Sequence, residues 1–350
     1  METVLHIDGS YGEGGGQVIR TALALAAMTG KGIEISNIRA GREKPGLQPQ
    51  HLTAVQLTAD LCGARMDGAA PGSVGLRFEP QAPVCTGAYA RNIGTAGALA
   101  LVLQTALLPL ARAGAPSQVR LTGGTHVTHA PSLDYLEAVY CPALRRMGLQ
   151  AGLQVSRAGF FPRGGGEVLL EVEPADLRPL DLAERGPLRK LTAIITTAGL
   201  PAHVAERGAA AVTEAIGKLG LRRQLTVETR DLPSNGPGAA VLLAAECAAG
   251  HAGFAALGAR GLPMEQVAAS ACRDFATWWR TDAACDEHLA DQLVLPAVLA
   301  GGESRWTTPA VTEHLRTVIW LVEQFVPVRF SITAQAGAHL VEVRPETCVG

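Results

Sequence analysis

GQVIRTALALAAMTG, residues 16–30, reads as an almost wholly apolar helix that leaves a glycine loop and carries one charge, Arg20. A helix apolar on nearly every side must be covered on nearly every side, so it belongs in a core. It is followed by strand-like GIEISNI (32–38), the polar loop RAGREKPGLQ (39–48) and a second helix, PQHLTAVQLTADLCG (49–63). The same succession returns twice. IGTAGALALVLQTALLPLARAG (93–114), SQVRLTG (117–123), GTHVTHAP (124–131) and SLDYLEAVYCPALRRMG (132–148) form the second copy. The third comprises DEHLADQLVLPAVLAGG (286–302), a short, weakly strand-like SRWTT (304–308) and a helix over 308–326, TPAVTEHLRTVIWLVEQFV. Strand pairs such as LQVSRAG with GGGEVLLEVEP, and VPVRFSIT with AHLVEVRP, close the units. The prediction is an α/β (α+β) fold of three repeated βαβαββ units.

Between the second and third copies the character changes. LRKLTAIITTAG, VAERGAAAVTEAIGKLG, QLTVETRDL, GAAVLLAAEC and MEQVAASACRDFATWWR alternate strand and helix patterns without matching the repeat. We expect residues 1–185 and 279–350 to form one large domain and 186–278 a smaller inserted α/β domain.

Each apolar first helix has polar exceptions: Arg20 in copy one, Gln104 in copy two, Asp291 with Gln292 in copy three. Burying such groups costs several kcal/mol unless they are paired, so each needs a neighbour or a ligand. Packing of the copies about a pseudo-threefold axis would bring these helix starts to one cleft. His314 joins them there, on the flank of the stripe formed by Val311, Leu315, Val318, Ile319, Val322 and Phe325. A neutral imidazole in that place can act as a nucleophile or simply fill a structural role.

Composition narrows the classes. The chain has 350 residues, 47% hydrophobic, with a formal net charge of −2. That supports about two domains and a sizeable core, and it excludes a protein that coats duplex nucleic acid, which would be basic. Seven cysteines (62, 85, 141, 247, 272, 285 and 348) show no CxxC spacing, so neither a zinc site nor a disulfide framework is expected and the reducing cytoplasm fits. METVLHIDGS has no signal-peptide organisation. The apolar run from Ile93 to Leu110 contains Thr95, Gln104, Thr105 and Pro109, and reads as a buried helix rather than a membrane span.

Three loops carry the chemistry. DGSYGEGGGQVIR (8–20) places five glycines between residues 9 and 16 and runs straight into a helix, an arrangement suited to an anion or to a tight hairpin turn. Glu13 in that loop would repel a phosphate unless a bridging Mg²⁺ or Mn²⁺ intervened. RAGREKPGLQPQHL (39–52) sets Arg39 and Arg42 in a loop, with Gln50 and His51 at the following helix start; planar guanidinium groups suit phosphate. GFFPRGGGEV (159–168) puts Arg163 before three glycines, as a ligand loop or a bulged strand entry.

DGSYGEGGGQVIR, AGREKPGLQPQHL, GFFPRGGGEV, DEHLADQLVLP and TEHLRTVIWLVEQF, in this order across nearly the whole chain, closely resemble the RNA 3′-terminal phosphate cyclase family. The resemblance implies three repeats plus a small insert, and use of ATP and a divalent metal to turn an RNA 3′-phosphate into a 2′,3′-cyclic phosphate. It implies that His314 becomes adenylated, that Glu13 binds the metal, and that Arg20, Arg39, Arg42 and Gln50 meet ATP or RNA phosphates. Gln104 and the stretch His288, Leu289, Ala290, Asp291 and Gln292 would bind the nucleotide, with adenine between His288 and Pro131. Asp291 would orient His314 or a ribose hydroxyl. Phe254 is a weaker site candidate. Val318 stands where relatives carry an asparagine, which removes one group that could orient the His314 ring. Two other classes compete: a non-catalytic ribosome-assembly factor of the same fold, from a branch lacking the histidine, and a carbon–oxygen transferase of related architecture, such as the enolpyruvyl transferases.

Overall fold

A computed structural model describes residues 4–346; Cys348 lies outside them. The first copy consists of β1 (Leu5–Asp8), α1 (Gln17–Thr29), β2 (Ile33–Ser36), α2 (Pro49–Cys62), β3 (Arg65–Asp67) and β4 (Leu76–Glu79). Its sheet has the order β1-β2-β4-β3, with the first pair parallel and the others antiparallel. The second copy repeats this with β5 (Ala88–Asn92), α3 (Leu99–Ala111), β6 (Ser117–Gly123), a broken helix, β7 (Ala151–Arg157) and β8 (Gly166–Val172), in the order β5-β6-β8-β7. The broken helix is α4 (Leu133–Tyr135), a π turn (Leu136–Tyr140) and α5 (Cys141–Arg146). Pro142 explains the break, because it lacks an N–H and its ring presses on the carbonyl of Ala138.

The third copy opens with β9 (Asp181–Leu182) and is then interrupted. The interruption contains β10 (Leu188–Ala198), α6 (Ala202–Lys218), β11 (Leu225–Asp231), β12 (Gly238–Cys247), β13 (His251–Leu257) and α7 (Met264–Trp279), in a sheet of a different order, β11-β10-β12-β13. The copy resumes with α8 (Glu287–Gln292), α9 (Val294–Leu299), β14 (Ser304–Thr308), α10 (Glu313–Phe325), β15 (Val328–Gln335) and β16 (Ala338–Pro345). Its order, β15-β16-β14-β9, is again that of the first copy.

Three details differ from the sequence reading. The long helix expected over 308–326 starts at Glu313: Thr308 stays in β14, paired with His339, and the Thr312 hydroxyl accepts the Leu315 N–H as the cap. The helix expected over 286–302 divides at Leu293, where Pro296 cannot donate to the Gln292 carbonyl. In the insert, HAGFAAL forms a fourth strand; small residues had hidden its alternation.

One core joins the three copies. Ile19 and Leu23 of α1, Leu99 and Leu103 of α3, and Leu315 and Val318 of α10 are all at most 1% exposed within it. The insert sheet divides its strands by alternation. Ile194, Leu242 and Ala244 face the shared core, while Ala193, Ile195, Val241 and Leu243 face a second core under α6 and α7. No helix among the described residues is long and apolar enough to cross a membrane.

Candidate active site

The glycine loop lies along one side of α10. Tyr11 stacks on Trp320 with ring centroids 3.8 Å apart, a Cβ on Gly12 would strike the Thr317 hydroxyl, and Glu13 meets His314. Positions 314, 317 and 320 share a helix face at three-residue spacing. Gly12 adopts φ +64°, so this close approach demands glycine on both backbone and steric grounds.

Glu13 is shared. Its Oε2 contacts His314 Nε2, and its Oε1 accepts a hydrogen bond from Arg42 Nη2 at 2.5 Å. Arg42 lies over Gly15, where an added Cβ would sit 2.9 Å from Nη2. At Gly16 a Cβ would collide with His51 Nε2 and come within 2.7 Å of Arg20 Nη1. The glycines thus let two cations and two imidazoles close on the start of α1, whose first turn has no side-chain cap. Its free N–H groups add a positive dipole end to the cleft.

His51 was read from sequence only as a helix-start residue. Its Nδ1 accepts the Gln48 N–H at 3.2 Å and it is 3% exposed, while burial and then Arg20 and Arg39 lower its pKa to about 3. It is therefore neutral, with the proton on Nε2 directed at the glycine loop. The available signal was the histidine at the third position of α2 in a reciprocal capping box with Gln48.

The charges favour an unprotonated nucleophile. Burial lowers the His314 pKa, Glu13 opposes that, and Arg20, His288 and Arg42 lower it further. Burial likewise depresses Arg20, to about 10 against the pull of Asp291 and Glu13, so it stays cationic at neutral pH. Its Nη2 donates to Gln17 Oε1 at 2.7 Å. Burial drives the Asp291 carboxyl well upward, Asp286 adds to this, and Arg20 holds it down. Asp291 is thereby an electrostatic partner of Arg20, whereas the group touching the His314 ring is Glu13.

The stretch 288–292 is fixed by a residue that sequence reading passed over. Asp286 is 2% exposed, and its carboxylate accepts the N–H groups of His288 and Leu289, the Gly253 N–H and the Tyr135 hydroxyl. One side chain therefore ties α8 to the second copy and to the insert. The signal was an aspartate immediately before a helix. His288 is exposed, and Pro131, four residues before Tyr135, is half-buried. Leu289 and Ala290 are 0% exposed, main chain included, so they anchor α8 in the core beneath the exposed His288. Gln292 Oε1 is buried without a hydrogen-bond partner, as a side chain awaiting a donor would be. Gln104 is half-buried on α3.

The remaining candidates separate. Gln50 Oε1 accepts the Ala98 N–H at 2.8 Å, so it straps α2 to the loop before α3. Arg39 donates to the carbonyls of Lys44 and Gly46 at 2.5 and 3.1 Å and thereby shapes its own loop. Val318 is 1% exposed in the core. Phe254 is 9% exposed and packs against Phe275 and Trp278 in the insert core. A divalent cation would find one carboxylate here, Glu13, and among the described residues no cluster of three metal-ligating side chains exists. That donor set fits Mg²⁺, which commonly takes one or two carboxylates and completes its shell with phosphates and water.

A family model described as RNA 3′-terminal phosphate cyclase matches residues 11–332. Curated relatives bearing that name match along nearly their whole length. The protein of Pyrobaculum neutrophilum is 45% identical over 97% of this chain and 98% of its own, and that of Methylococcus capsulatus 46% identical over 97% and 96%. The Pseudomonas fluorescens protein is 48% identical over 94% of each. A solved enolpyruvyl transferase, NikO from Streptomyces tendae, covers 49% of this chain and 33% of its own at 16% identity and a TM-score of 0.30, too slight a likeness to carry an argument. With an intact glycine loop and a half-buried histidine against it, this chain belongs to the RNA 3′-terminal phosphate cyclase family.

Proposed function

We propose that this protein uses ATP to convert an RNA 3′-phosphate into a 2′,3′-cyclic phosphate, with His314 as the group that carries adenylate. The observation that carries this reading is the meeting of His314 with Glu13 and Arg42 beside Arg20 and the uncapped start of α1. In the resting enzyme Nε2 carries the proton that it shares with Glu13; once that proton has moved to Nδ1 through solvent, the freed Nε2 lone pair attacks the α-phosphorus of ATP as the bond to pyrophosphate breaks, giving a phosphoramidate. An oxygen of the RNA 3′-phosphate next attacks that phosphorus, the phosphorus–nitrogen bond breaks, and an RNA-adenylate forms. The 2′-hydroxyl then attacks the terminal phosphorus, AMP leaves with its bonding electrons, and the hydroxyl proton passes to solvent or base. A bare terminal phosphate repels nucleophiles and has no good leaving group; adenylation cures both faults.

Arg20 and Arg42 meet the charge that builds on the phosphates, the α1 N–H groups and the His51 Nε2–H donate to them, and Gln17 braces Arg20. A divalent cation held by Glu13 would neutralise phosphate charge. Gln104 and Gln292 offer side-chain amides to the nucleotide, while His288 and Pro131 offer flat faces to its base. The three copies, residues 1–185 and 279–350, form the catalytic body and 186–278 the insert. The six described cysteines are unpaired, in keeping with a cytoplasmic location. To test the reaction, a 3′-phosphorylated oligoribonucleotide is incubated with protein and ATP and then with phosphatase. Protection that needs ATP, with a 3′-hydroxyl oligonucleotide left unchanged, is expected; an unprotected end would leave a binding factor of the same fold as the better reading.

A further inference from the structure

GFFPRGGGEV has no part in the site described above, yet it forms one wall of a second cavity. This cavity, of about 410 Å³, is lined by Asn92, Thr95, Arg157, Arg163, Gly165 and Asn235 among others. The second copy supplies most of these, and Asn235 comes from the insert. The glycines make that meeting possible. A Cβ on Gly164 would stand 2.8 Å from the Ala96 Cα and the Thr95 carbonyl oxygen, and one on Gly165 would overlap the Asn235 side chain.

The lining presents donors. Arg163 donates to the Asn235 carbonyl through Nη1 at 2.5 Å, and Arg157 is held only loosely, at 3.5 Å from Asn235 Oδ1 and 3.9 Å from Glu167. Asn92 Oδ1 and Thr95 Oγ1 accept the N–H groups of Gly94 and Gly97. That leaves the Asn92 amide hydrogens and the Thr95 hydroxyl hydrogen to donate. Two arginines against one carboxylate, Glu167, give the lining a net positive charge. Two residues before Arg163 in the chain, Phe161 is 80% exposed, although its neighbour Phe160 is buried. A cationic groove with a bare aromatic ring is how proteins hold single strands without reading their sequence.

The cavity is linked to the first site through Gln50. Thr95 stands three residues before Ala98, whose N–H is bound by Gln50, and Gln50 is followed by His51 at the glycine loop. Three residues span at most about 11 Å, so Thr95 lies within that reach of the backbone that Gln50 holds.

We propose that this cavity holds the RNA immediately 5′ of the reacting end: Arg157, Arg163, Asn92 and Thr95 take backbone phosphates, and Phe161 stacks a base. The proposal rests on the cyclase reading and extends it to the substrate strand. It also gives the insert a part in binding, through Asn235.

Three variants, Arg157→Gln, Arg163→Gln and Phe161→Leu, are compared with the parent protein in two assays. Self-labelling from ATP should be unchanged in all three, which also shows that they are folded. Cyclisation of a 3′-phosphorylated pentanucleotide should need about tenfold more RNA to reach half-maximal rate in each. A mononucleoside 3′-phosphate, too short to reach the cavity, should react equally well with parent and variants. The two arginine variants should also show a salt dependence of RNA binding about one unit shallower. Parental half-saturation by the pentanucleotide in all three variants would overturn the proposal. Failure of the parent protein to self-label would instead overturn the reading on which it rests.

Discussion

Glu13 and His314, 301 positions apart in the chain, are in direct contact through Oε2 and Nε2, while the other oxygen of Glu13 holds Arg42. The nitrogen assigned as nucleophile is therefore the one held by a carboxylate, and the carboxylate is itself held by a cation. Glu13→Gln keeps the shape and removes the charge. Self-labelling should fall by about 10²-fold or more, the usual scale for losing a transition-state electrostatic group, while the melting temperature stays near that of the parent. A single-turnover labelling rate within twofold of the parent would show that the contact is incidental.

The pH profile follows from the charges around the ring. Burial, Arg20, His288 and Arg42 lower the His314 pKa against the opposition of Glu13. Labelling requires the neutral ring, so its rate should rise with pH through the folded-state pKa and level off, with the acid limb below the ordinary imidazole value of about 6.5. Arg20→Met removes a cation that disfavours protonation, so the limb should move to higher pH as well as losing rate. A limb unmoved by that change, in rates measured from pH 4.5 to 8.5, would contradict the electrostatic assignment.

Gly16 gives a steric test free of backbone strain. Its φ is −75° and ψ −5°, a conformation alanine adopts readily, yet the added carbon would collide with His51 and crowd Arg20. Gly16→Ala should fold normally and lose at least about tenfold in labelling, since misplacing reacting groups by about 1 Å can cost 10²-fold. Equal loss of stability and activity would point to a general packing defect instead.

Asp286 predicts a stability effect away from the chemistry. Replacement by alanine strands the Gly253, His288 and Leu289 N–H groups and the Tyr135 hydroxyl. Denaturant unfolding should show a loss of about 2–4 kcal/mol. Tyr135→Phe removes one donor and should cost about 1 kcal/mol. A neutral Asp286→Ala would mean that α8 is positioned by its apolar face alone.

Much of this was legible in the sequence because it rests on periodicity and composition. The apolar helices 17–29 and 99–111 and the repeated βαβαββ succession follow from patterns that burial imposes on any such chain. Arg20 and Gln104 stood out as polar residues on nearly all-apolar helices, Asp291 as their counterpart in the third copy, and His314 because it flanks the apolar stripe of an amphipathic helix. What escaped depends on tertiary partners. His51 looks like any helix-start histidine until the glycine loop is laid against it, and Asp286 looks like an ordinary cap until Tyr135 and Gly253 arrive from other units. β13 was missed because HAGFAAL lacks the branched residues that usually mark a strand.

The central claim is that His314 takes up adenylate. Protein is incubated with ATP labelled at the α-phosphate and Mg²⁺ or Mn²⁺, then denatured and divided between acid and alkali. A label that is lost in acid, survives alkali and is absent from His314→Ala is the predicted result; equal labelling of that variant would contradict the account.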